Sequence, residues 1–231
     1  MHAAVGFARD VQRKNCNDPP HPLTSHHTKH GEADVSVKGE STHLDLGCGM
    51  YPRNPYGRTD LTGIDLHEGL QTGTPFRYVR ANLSLRPIPF DDDTFDSISA
   101  FDFIEHVPRQ LALDGDIQLP FIRLMNEVWR VLKPGGLFYA VTPAFPSPAA
   151  FQDPTHVNII TTKTHEYFCG KNAYGRNYGF AGDFEALRVK WVVEKNAYTA
   201  DESIRKTARA WHRRIFQGRP THLLWELRSV K

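Results

Sequence analysis

The sequence lacks the features that define several protein classes. Its 231 residues contain only three cysteines, Cys16, Cys48 and Cys169, which are far apart and form no CxxC pair. This spacing argues against a disulfide framework or a zinc ribbon and indicates a reducing compartment. There is no run of about 18 apolar residues and no signal-peptide apolar stretch at the N-terminus, so we expect no membrane span. These absences together predict a cytoplasmic protein.

The sequence also has no large excess of positive or negative charge. The 28 basic and 26 acidic residues leave a formal net charge of +2, which does not favour a nucleic-acid partner. Residues 1–40 are polar and unpatterned and are interpreted as a flexible tail, whereas residues 41–231 are expected to form a single domain. The tail contains HPLTSHHTKH, but without carboxylates or thiols at a fixed helical spacing we expect no metal site.

From Thr42 onward, short apolar runs alternate with polar or helical stretches. Such runs, bounded by Gly, Pro, Asp or Asn, are typical of buried parallel strands; they are THLDLG, LTGIDL, FRYVRA, DSISAF and GGLFYAVTP. The segment PFIRLMNEVWRVLK has apolar residues at helical spacing, and Pro134-Gly135-Gly136 should end that helix. Strand, helix and strand in succession predict a doubly wound α/β sheet.

The C-terminal 50 residues predict two further strands and a helix between them. FEALRVKWVVEK and THLLWELRSVK are interpreted as strands that pair antiparallel at a sheet edge, and Ser203 to Gln217 as the helix.

The loop LDLGCGMYPRNPYG begins with the first two glycines of the pattern GxGxxG. It lacks the third glycine at that spacing and the helix that usually follows. Gly47 and Gly49 allow backbone N–H groups to approach a ligand, and Asp65 ends the next strand, where a carboxylate can bind ribose hydroxyls. A pyrophosphate would favour a third glycine and a helix N-terminus. Only 12 residues, Met50 to Leu61, precede the next strand. A nucleoside cofactor without phosphates, such as S-adenosylmethionine, tolerates that absence.

Five ordered motifs between Thr42 and Pro143 resemble those of class I S-adenosylmethionine-dependent methyltransferases. They are LDLGCG, GIDL, RANLSLRPIPFDDDTFDSI, FIEHVPR and NEVWRVLKPGGLFYAVTP. The resemblance implies a Rossmann-like methyltransferase fold, with a seven-stranded, mostly parallel sheet and an antiparallel last strand. It also implies S-adenosyl-L-methionine as cofactor.

The same resemblance assigns roles to individual positions. It implies that Asp45, Gly47 and Gly49 line the methionine end, that Asp65 holds the ribose, and that Phe101 to Phe103 close the methyl-donor side. The expected cofactor-binding residues are Asp45, Gly47, Cys48, Gly49, Arg53, Asp65, Leu66, Asn82, Leu83 and Phe101, with Asn82 and Leu83 flanking the adenine. Arg53 enters as a hypothesis: it binds the cofactor carboxylate in place of the lost helix terminus.

A long segment after the fifth strand is the candidate acceptor site. Residues 144–182 are expected to overhang the active-site end of the sheet as an acceptor lid. If the acceptor is a hydroxyl, a general base helps, and the candidates are His156, with Asp153 as its orienter, and His106 in FIEHVPR. The alternatives are a structural turn at His156 and a structural helix start at His106.

We therefore interpret the sequence as a methyltransferase that acts on oxygen of a small-molecule or glycan-type acceptor. The alternatives are an N-methyltransferase acting on a small molecule or RNA, and a catalytically silent, S-adenosylmethionine-binding regulatory protein. A dehydrogenase is disfavoured by the missing third glycine.

Overall fold

The fold is given by a computed structural model, which describes residues 40–67, 75–200 and 219–231. The tail predicted for residues 1–40, apart from Glu40, and the helix predicted for Ser203 to Gln217 lie outside the described residues. The strands and α-helices in the described part are β1 (Thr42–Leu46), β2 (Asp60–Asp65), β3 (Arg77–Arg80), β4 (Phe95–Phe101), β5 (Leu111–Leu113), β6 (Asp116–Gln118), α1 (Pro120–Val131), β7 (Leu132–Pro143), α2 (Ala149–Gln152), β8 (Phe184–Val192) and β9 (His222–Ser229). Among these residues no helix is long and apolar enough to cross a membrane.

Seven of the strands form one sheet, in the order β3-β2-β1-β4-β7-β9-β8. Neighbours from β3 to β7 pair in parallel, whereas β9 runs antiparallel to both β7 and β8. The predicted mostly parallel sheet with an antiparallel last strand is confirmed, as is the pairing of the two C-terminal strands. Strand order reverses between β1 and β4, which is where ligands bind open sheets of this kind.

The predicted helix PFIRLMNEVWRV is confirmed as α1, but it ends earlier than expected. It stops at Val131, and β7 begins at Leu132. Leu132 pairs with Phe95 and Leu137 with Ser97, so the intervening Lys133 to Gly136 form an irregularity inside the strand pairing. Gly135 supplies the positive φ of +74° that this irregularity needs. The Pro-Gly-Gly signal therefore marks a turn after the helix rather than its last residue.

A short hairpin was not expected from the sequence. β5 and β6 pair antiparallel across Asp114 and Gly115, which both have positive φ. Asp-Gly is a favoured sequence for this turn, because its two central residues need φ above zero. A signal for the hairpin was therefore present.

The two faces of the sheet differ in polarity. Leu44 and Leu46 of β1 belong to the apolar core that α1 covers, together with Ile98 and Ala100 of β4. The alternate residues point to the opposite face, where the central strands bury polar side chains: His43, Asp45, Ser97 and Ser99. This polar row lies directly below the cofactor loop and is partnered by the segment that replaces the usual helix.

Candidate cofactor and acceptor site

The glycine loop leaves β1 with left-handed backbone at both glycines. Gly47 has φ +66° and Gly49 has φ +57°, a region that other residues enter at a cost. A Cβ on Gly47 would lie 2.4 Å from the ring of Phe103, whereas a Cβ on Gly49 would meet no atom within 4 Å. The loop is therefore closed on one side against Phe103, which follows β4, and open at Gly49, where a ligand can approach the backbone.

The segment after the loop forms no helix, as the sequence predicts. Residues 50–59 consist of turns and irregular backbone. The Cys48 N–H donates to the Ile64 carbonyl at 3.0 Å, which ties the loop to β2. A Cβ on Gly63 would lie 2.6 Å from the Cys48 sulfur and 3.3 Å from Pro52, so this glycine lets the segment lie flat on the strand. Burial raises the pKa of the Cys48 thiol to about 12, which keeps it protonated.

Asp45 is buried and belongs to a hydrogen-bonded row across β1 and β4. Its carboxylate accepts the Ser99 hydroxyl at 2.5 Å and the Arg53 N–H at 2.8 Å. His43 contacts the hydroxyls of Ser99 and Ser97, each at 2.8 Å. Burial raises the pKa of Asp45 to about 7 and lowers that of His43 to about 3. The row thus holds the segment after the loop in place through the hydrogen bond from the Arg53 N–H to Asp45. The contact of Asp45 with the cofactor stays a prediction.

Asp65 lies at the end of β2, beside the loop. One carboxylate oxygen accepts the Gly49 N–H at 2.8 Å, and the other accepts the His67 N–H at 3.1 Å. Partial burial acts to raise the pKa of Asp65, but these hydrogen bonds outweigh it and hold the pKa below its ordinary value. Asp65 is therefore ionised at neutral pH. The oxygen that accepts the His67 N–H also lies 3.0 Å from His67 Nδ1, whereas the oxygen that accepts the Gly49 N–H keeps a lone pair for a further donor such as a ribose hydroxyl.

Arg53 extends over the end of the sheet. Its guanidinium carbon lies 5.0 Å from the centre of the Phe101 ring and 5.2 Å from that of Tyr198. Phe101 is itself buried against Tyr139. A cation held between aromatic faces keeps its charge available for a carboxylate. The hypothesis that Arg53 binds the cofactor carboxylate stays a prediction.

Asn82 and Leu83, which are expected to flank the adenine, lie just after β3, and the expected cofactor-binding residue Leu66 follows β2. Asn82 accepts the Ser84 N–H with its side chain at 3.1 Å, which makes it a turn residue in this conformation. Leu83 is buried in the core, whereas Leu66 is exposed. The structure therefore gives Asn82 a structural partner, and its contact with adenine stays a prediction.

The lid brings the two candidate histidines together. The N–H groups of Val157 and Asn158 both donate to the Glu105 carbonyl at 2.9 Å, which ties the lid to the short 3-10 helix Ile104–His106. The imidazoles of His106 and His156 consequently meet edge to face, with ring centres 4.8 Å apart. The sequence predicts both residues as candidates but gives no sign that they touch.

Asp153 contacts His106 through an intermediate rather than His156 directly. Its carboxylate lies 4.0 Å from His156 Nε2, which is too far for a hydrogen bond. Instead it accepts the Thr155 hydroxyl at 2.6 Å, and that hydroxyl lies 3.0 Å from His106 Nδ1. In this conformation Asp153 therefore supports His106, and the prediction that it orients His156 is not supported by a direct contact.

Two acidic residues near the site, Glu105 and Asp102, have no individual role predicted from the sequence. Glu105 is buried and accepts the Thr142 hydroxyl at 2.8 Å. Burial, with the negative charges of Asp102 and Asp153, raises its pKa to about 8. Asp102, at φ +47°, lies 3.1 Å from His222 Nε2. The Asp102–His222 pair joins residues 120 positions apart, so only the sheet, which places the start of β9 beside the end of β7, brings them together.

The residues at the loop fit S-adenosylmethionine. The open side at Gly49 leaves room for a ligand against the backbone, the ionised Asp65 offers acceptors at the ribose position, and Arg53 offers a cation. The fold and these groups together define a domain that binds a nucleoside cofactor without phosphates.

The comparisons with known proteins agree with this assignment. Residues 44–140 match the family model described as a methyltransferase domain. Squalene methyltransferase 1 of Botryococcus braunii is 35% identical over 111 residues, which cover 41% of this chain and 26% of that protein. Sterol 24-C-methyltransferase erg6 of Schizosaccharomyces pombe is 31% identical over 119 residues, covering 45% of this chain and 28% of that protein. The chain thus spans about a quarter of the length of these relatives.

Among solved structures, one chain of the complex between the Haloferax volcanii Trm112 methyltransferase activator and a methyltransferase has a TM-score of 0.51. It is 15% identical, and the match covers 86% of this chain and 87% of that one. At this identity the likeness concerns the fold. Residues 44–140 carry the methyltransferase domain that this family model describes, and the resemblance to class I S-adenosylmethionine-dependent methyltransferases read from the sequence is confirmed. S-adenosylmethionine is the cofactor of such a domain.

Proposed function

We propose that the protein transfers a methyl group from S-adenosylmethionine to a hydroxyl oxygen of a small-molecule or glycan-type acceptor. The observation that carries the proposal is the position of the histidine pair relative to the cofactor loop. Gly47 packs against Phe103, and the helix that bears His106 begins at the next residue, Ile104. The histidines thus stand at the carboxyl end of β4, next to the loop that holds the methyl donor.

A neighbouring pocket suits a small acceptor. Its volume of about 460 Å³ falls within the range of small-molecule sites, and its walls include the rings of Phe121 and Phe168. Arg109, on its rim, donates to the Asn158 side chain at 2.7 Å, and Asn158 donates to the Ile104 carbonyl at 3.0 Å. The pocket is therefore linked by two hydrogen bonds to the helix that carries His106. We propose residues 144–182, which supply part of its wall, as the acceptor lid.

The chain's own groups act by positioning and by proton transfer. When bound, the cofactor supplies an electrophilic methyl group on a sulfonium. Asp65 and the loop hold it at the ribose and the methionine end, and Phe103 packs against the loop and excludes water there. An imidazole of the pair accepts the proton of the acceptor hydroxyl, because a free alcohol is a poor nucleophile at neutral pH. We propose His156 for this role, with His106, supported by Asp153 through Thr155, as its neighbour.

Carbon methylation of an apolar acceptor is the second candidate. It is favoured by the names of the squalene and sterol methyltransferases to which residues of this chain are similar. The lid also exposes several large apolar side chains, namely Phe145, Phe151, Val157 and Ile159. Nitrogen methylation and a catalytically silent role remain predictions without a specific supporting contact. A cytoplasmic location likewise remains a prediction, although the described cysteines Cys48 and Cys169 are both free thiols.

The test is methyl transfer from labelled S-adenosylmethionine to a panel of acceptors. The panel contains sugars and their conjugates, phenolic and alicyclic alcohols, matched amines, and squalene and sterols. Label on a hydroxyl-bearing acceptor, with none on its methyl-ether analogue, supports oxygen methylation. Label on squalene or on a sterol side chain establishes the second candidate instead. Cofactor binding without label on any class favours the silent role.

A further inference from the structure

One carboxylate and two imidazoles converge where the lid meets the carboxyl end of β4. One oxygen of Glu105 and one ring nitrogen of each of His106 and His156 lie within 4.8 Å of one another. Glu105 and His106 are adjacent in the chain, but His156 follows 50 positions later. The lid's hydrogen bonds to the Glu105 carbonyl bring them together. A general base requires only one of these three side chains. The role of a base therefore does not explain why all three lie together.

The carboxylate of Glu105 lacks a partner on one side. The residue is 1% exposed, and one oxygen, Oε2, accepts the Thr142 hydroxyl. The other, Oε1, is buried and has no hydrogen-bond partner among the described residues. Burying a polar atom without a partner costs free energy, and native structures rarely keep one without a reason. A cation bound to Oε1 would supply the missing interaction.

Both imidazoles are oriented as metal ligands are. His106 Nδ1 lies 3.0 Å from the Thr155 hydroxyl, which itself donates to Asp153, and 3.3 Å from the Thr155 carbonyl. His156 Nδ1 lies 3.3 Å from the Ala150 carbonyl. Carbonyl oxygens only accept, so Nδ1 carries the proton in both rings, and Nε2 keeps a lone pair. Histidines that bind metals usually donate their second N–H to a carbonyl or carboxylate in this way.

We propose that Glu105, His106 and His156 bind a divalent transition-metal cation, and that zinc is the ion this ligand set suits best. Two imidazoles and one carboxylate form a three-ligand site with an open position. The ligand atoms of a tetrahedral zinc lie about 3.4 Å apart, given zinc–nitrogen distances of about 2.0–2.1 Å. The separations of up to 4.8 Å in the cluster exceed this value, so the side chains would have to move closer together to bind the ion. The Asp153 carboxylate, 4.0 Å from His156 Nε2, adds negative charge beside the site.

The role of the ion, unlike its binding, rests on the proposed function. With the ion bound, its open position would take the acceptor hydroxyl and lower its pKa, so that the proton would pass to solvent water and His156 would serve as a ligand instead of as the base. Binding itself needs neither cofactor nor acceptor, so the two claims are separable.

The experiment measures zinc binding by the full-length protein after removal of metal with a chelator. Calorimetric titration with zinc chloride is run on the wild type and on the double variant His106→Asn/His156→Asn, with S-adenosylhomocysteine titrated into both. We expect the double variant to lose one tight zinc equivalent, or to bind it at least tenfold more weakly, and to keep its affinity for S-adenosylhomocysteine. Glu105→Gln, which keeps an acceptor for Thr142, should weaken zinc binding in the same direction and serves if the double variant does not fold.

Two control variants locate the ion. The triple variant His26→Asn/His27→Asn/His30→Asn removes three of the four histidines of HPLTSHHTKH, and His222→Asn removes a member of the second cluster, Asp102, Glu194 and His222. Both should keep the equivalent that the double variant loses. Zinc binding that is unchanged in the double variant, or that is lost only in a control variant, overturns the proposal. Failure of the wild type to bind S-adenosylhomocysteine would count against the proposed function and leave the zinc result independent.

Discussion

The Asp65 carboxylate accepts the backbone N–H of Gly49 at 2.8 Å. This contact joins the two elements that are proposed to hold the cofactor, the loop after β1 at its methionine end and the end of β2 at its ribose. In most nucleoside-binding sheets a helix that starts at the loop fixes its position. Here the loop has no such helix, and a side chain of the next strand holds its backbone instead.

Replacing Asp65 should weaken cofactor binding. Asp65→Asn removes the charge and one acceptor, and a hydrogen bond to a charged group contributes about 1.5–3 kcal/mol. We expect the affinity for S-adenosylhomocysteine to fall roughly 10- to 100-fold. Asp60→Asn, at the exposed start of the same strand, is the matched control and should bind as the wild type does. Equal affinity in Asp65→Asn would remove Asp65 from the site.

Adding a methyl group at Gly47 should lower the free energy of unfolding more than adding one at Gly57. Gly47→Ala meets both a left-handed backbone, at about 1–2 kcal/mol, and the Phe103 ring, where overpacking costs about 1–3 kcal/mol more. Gly57→Ala has a similar φ of +60° but no atom within 4 Å of the new Cβ, so it should show the backbone cost alone. Urea unfolding of both variants measures the difference. Equal losses would mean that Phe103 does not close the loop.

Stability should fall as the pH rises from about 5 to 7. Burial raises the pKa of Asp45 to about 7, far above the value of about 3.9 expected in the unfolded chain. In this window Asp45 and Glu105 each keep a proton in the folded state that the unfolded state has lost, whereas folded His43, with its pKa lowered to about 3, lacks a proton that the unfolded state holds below about pH 6.5. Because His43 offsets one of the two carboxyls below that pH, the free energy of unfolding declines by up to about 1.4 kcal/mol per pH unit there and more steeply above it. Glu105, with a pKa raised to about 8, extends the decline to higher pH.

The variant Asp45→Asn isolates the contribution of Asp45. An amide can still accept the Arg53 N–H and donate to Ser99, but it does not titrate. Urea unfolding at pH 5, 6 and 7 should therefore give a shallower decline than in the wild type, whereas Asp60→Asn should leave the slope unchanged. An unaltered slope in Asp45→Asn would show that this carboxyl is not the group that titrates.

Arg53 should contribute to cofactor affinity through its charge. Arg53→Ala removes the guanidinium between Phe101 and Tyr198, and we expect several-fold weaker binding of S-adenosylhomocysteine. Arg53→Lys keeps the charge and should retain part of the affinity. The thermal midpoint of each variant separates a lost contact from a lost fold. Unchanged affinity in Arg53→Ala would assign the residue a purely structural role.

His156 should matter for turnover rather than for cofactor binding. A general base contributes roughly 10²- to 10⁴-fold to a rate, so His156→Asn should lower turnover by that order, with S-adenosylhomocysteine affinity unchanged. His165→Asn changes a histidine of the same lid outside the cluster and should turn over normally. Full turnover in His156→Asn would exclude the residue as the base.

The sequence predicted the sheet and the irregular segment after β1 because their signals are local. LDLGCG and GIDL each place a strand, a turn and a functional side chain within six residues. The polar row was also readable in principle, since His43 and Asp45, and Ser97 and Ser99, occupy alternate positions of two otherwise apolar strands. The apolar residues of these strands give the stronger signal, so the row is not predicted from the sequence.

The acceptor side could not be predicted in the same way. The lid brings His106 and His156 together, and the strand order brings Asp102 and His222 together. Neither contact can be predicted from the spacing of these residues in the sequence. Glu105 is next to His106 and was passed over because burial, which the sequence does not reveal for a lone glutamate, is what makes it unusual. Contacts between segments that are distant in the sequence depend on tertiary packing, whereas a motif consists of residues that are adjacent in the sequence and can be recognised from it.

Calorimetric titration of the purified protein with S-adenosylhomocysteine, with NAD as the control, tests the central claim most directly. The account predicts binding in the micromolar range at one site for S-adenosylhomocysteine and no heat of binding for NAD, because the loop has no third glycine or helix for a pyrophosphate. A folded protein that binds neither compound, or that binds NAD instead, would contradict it.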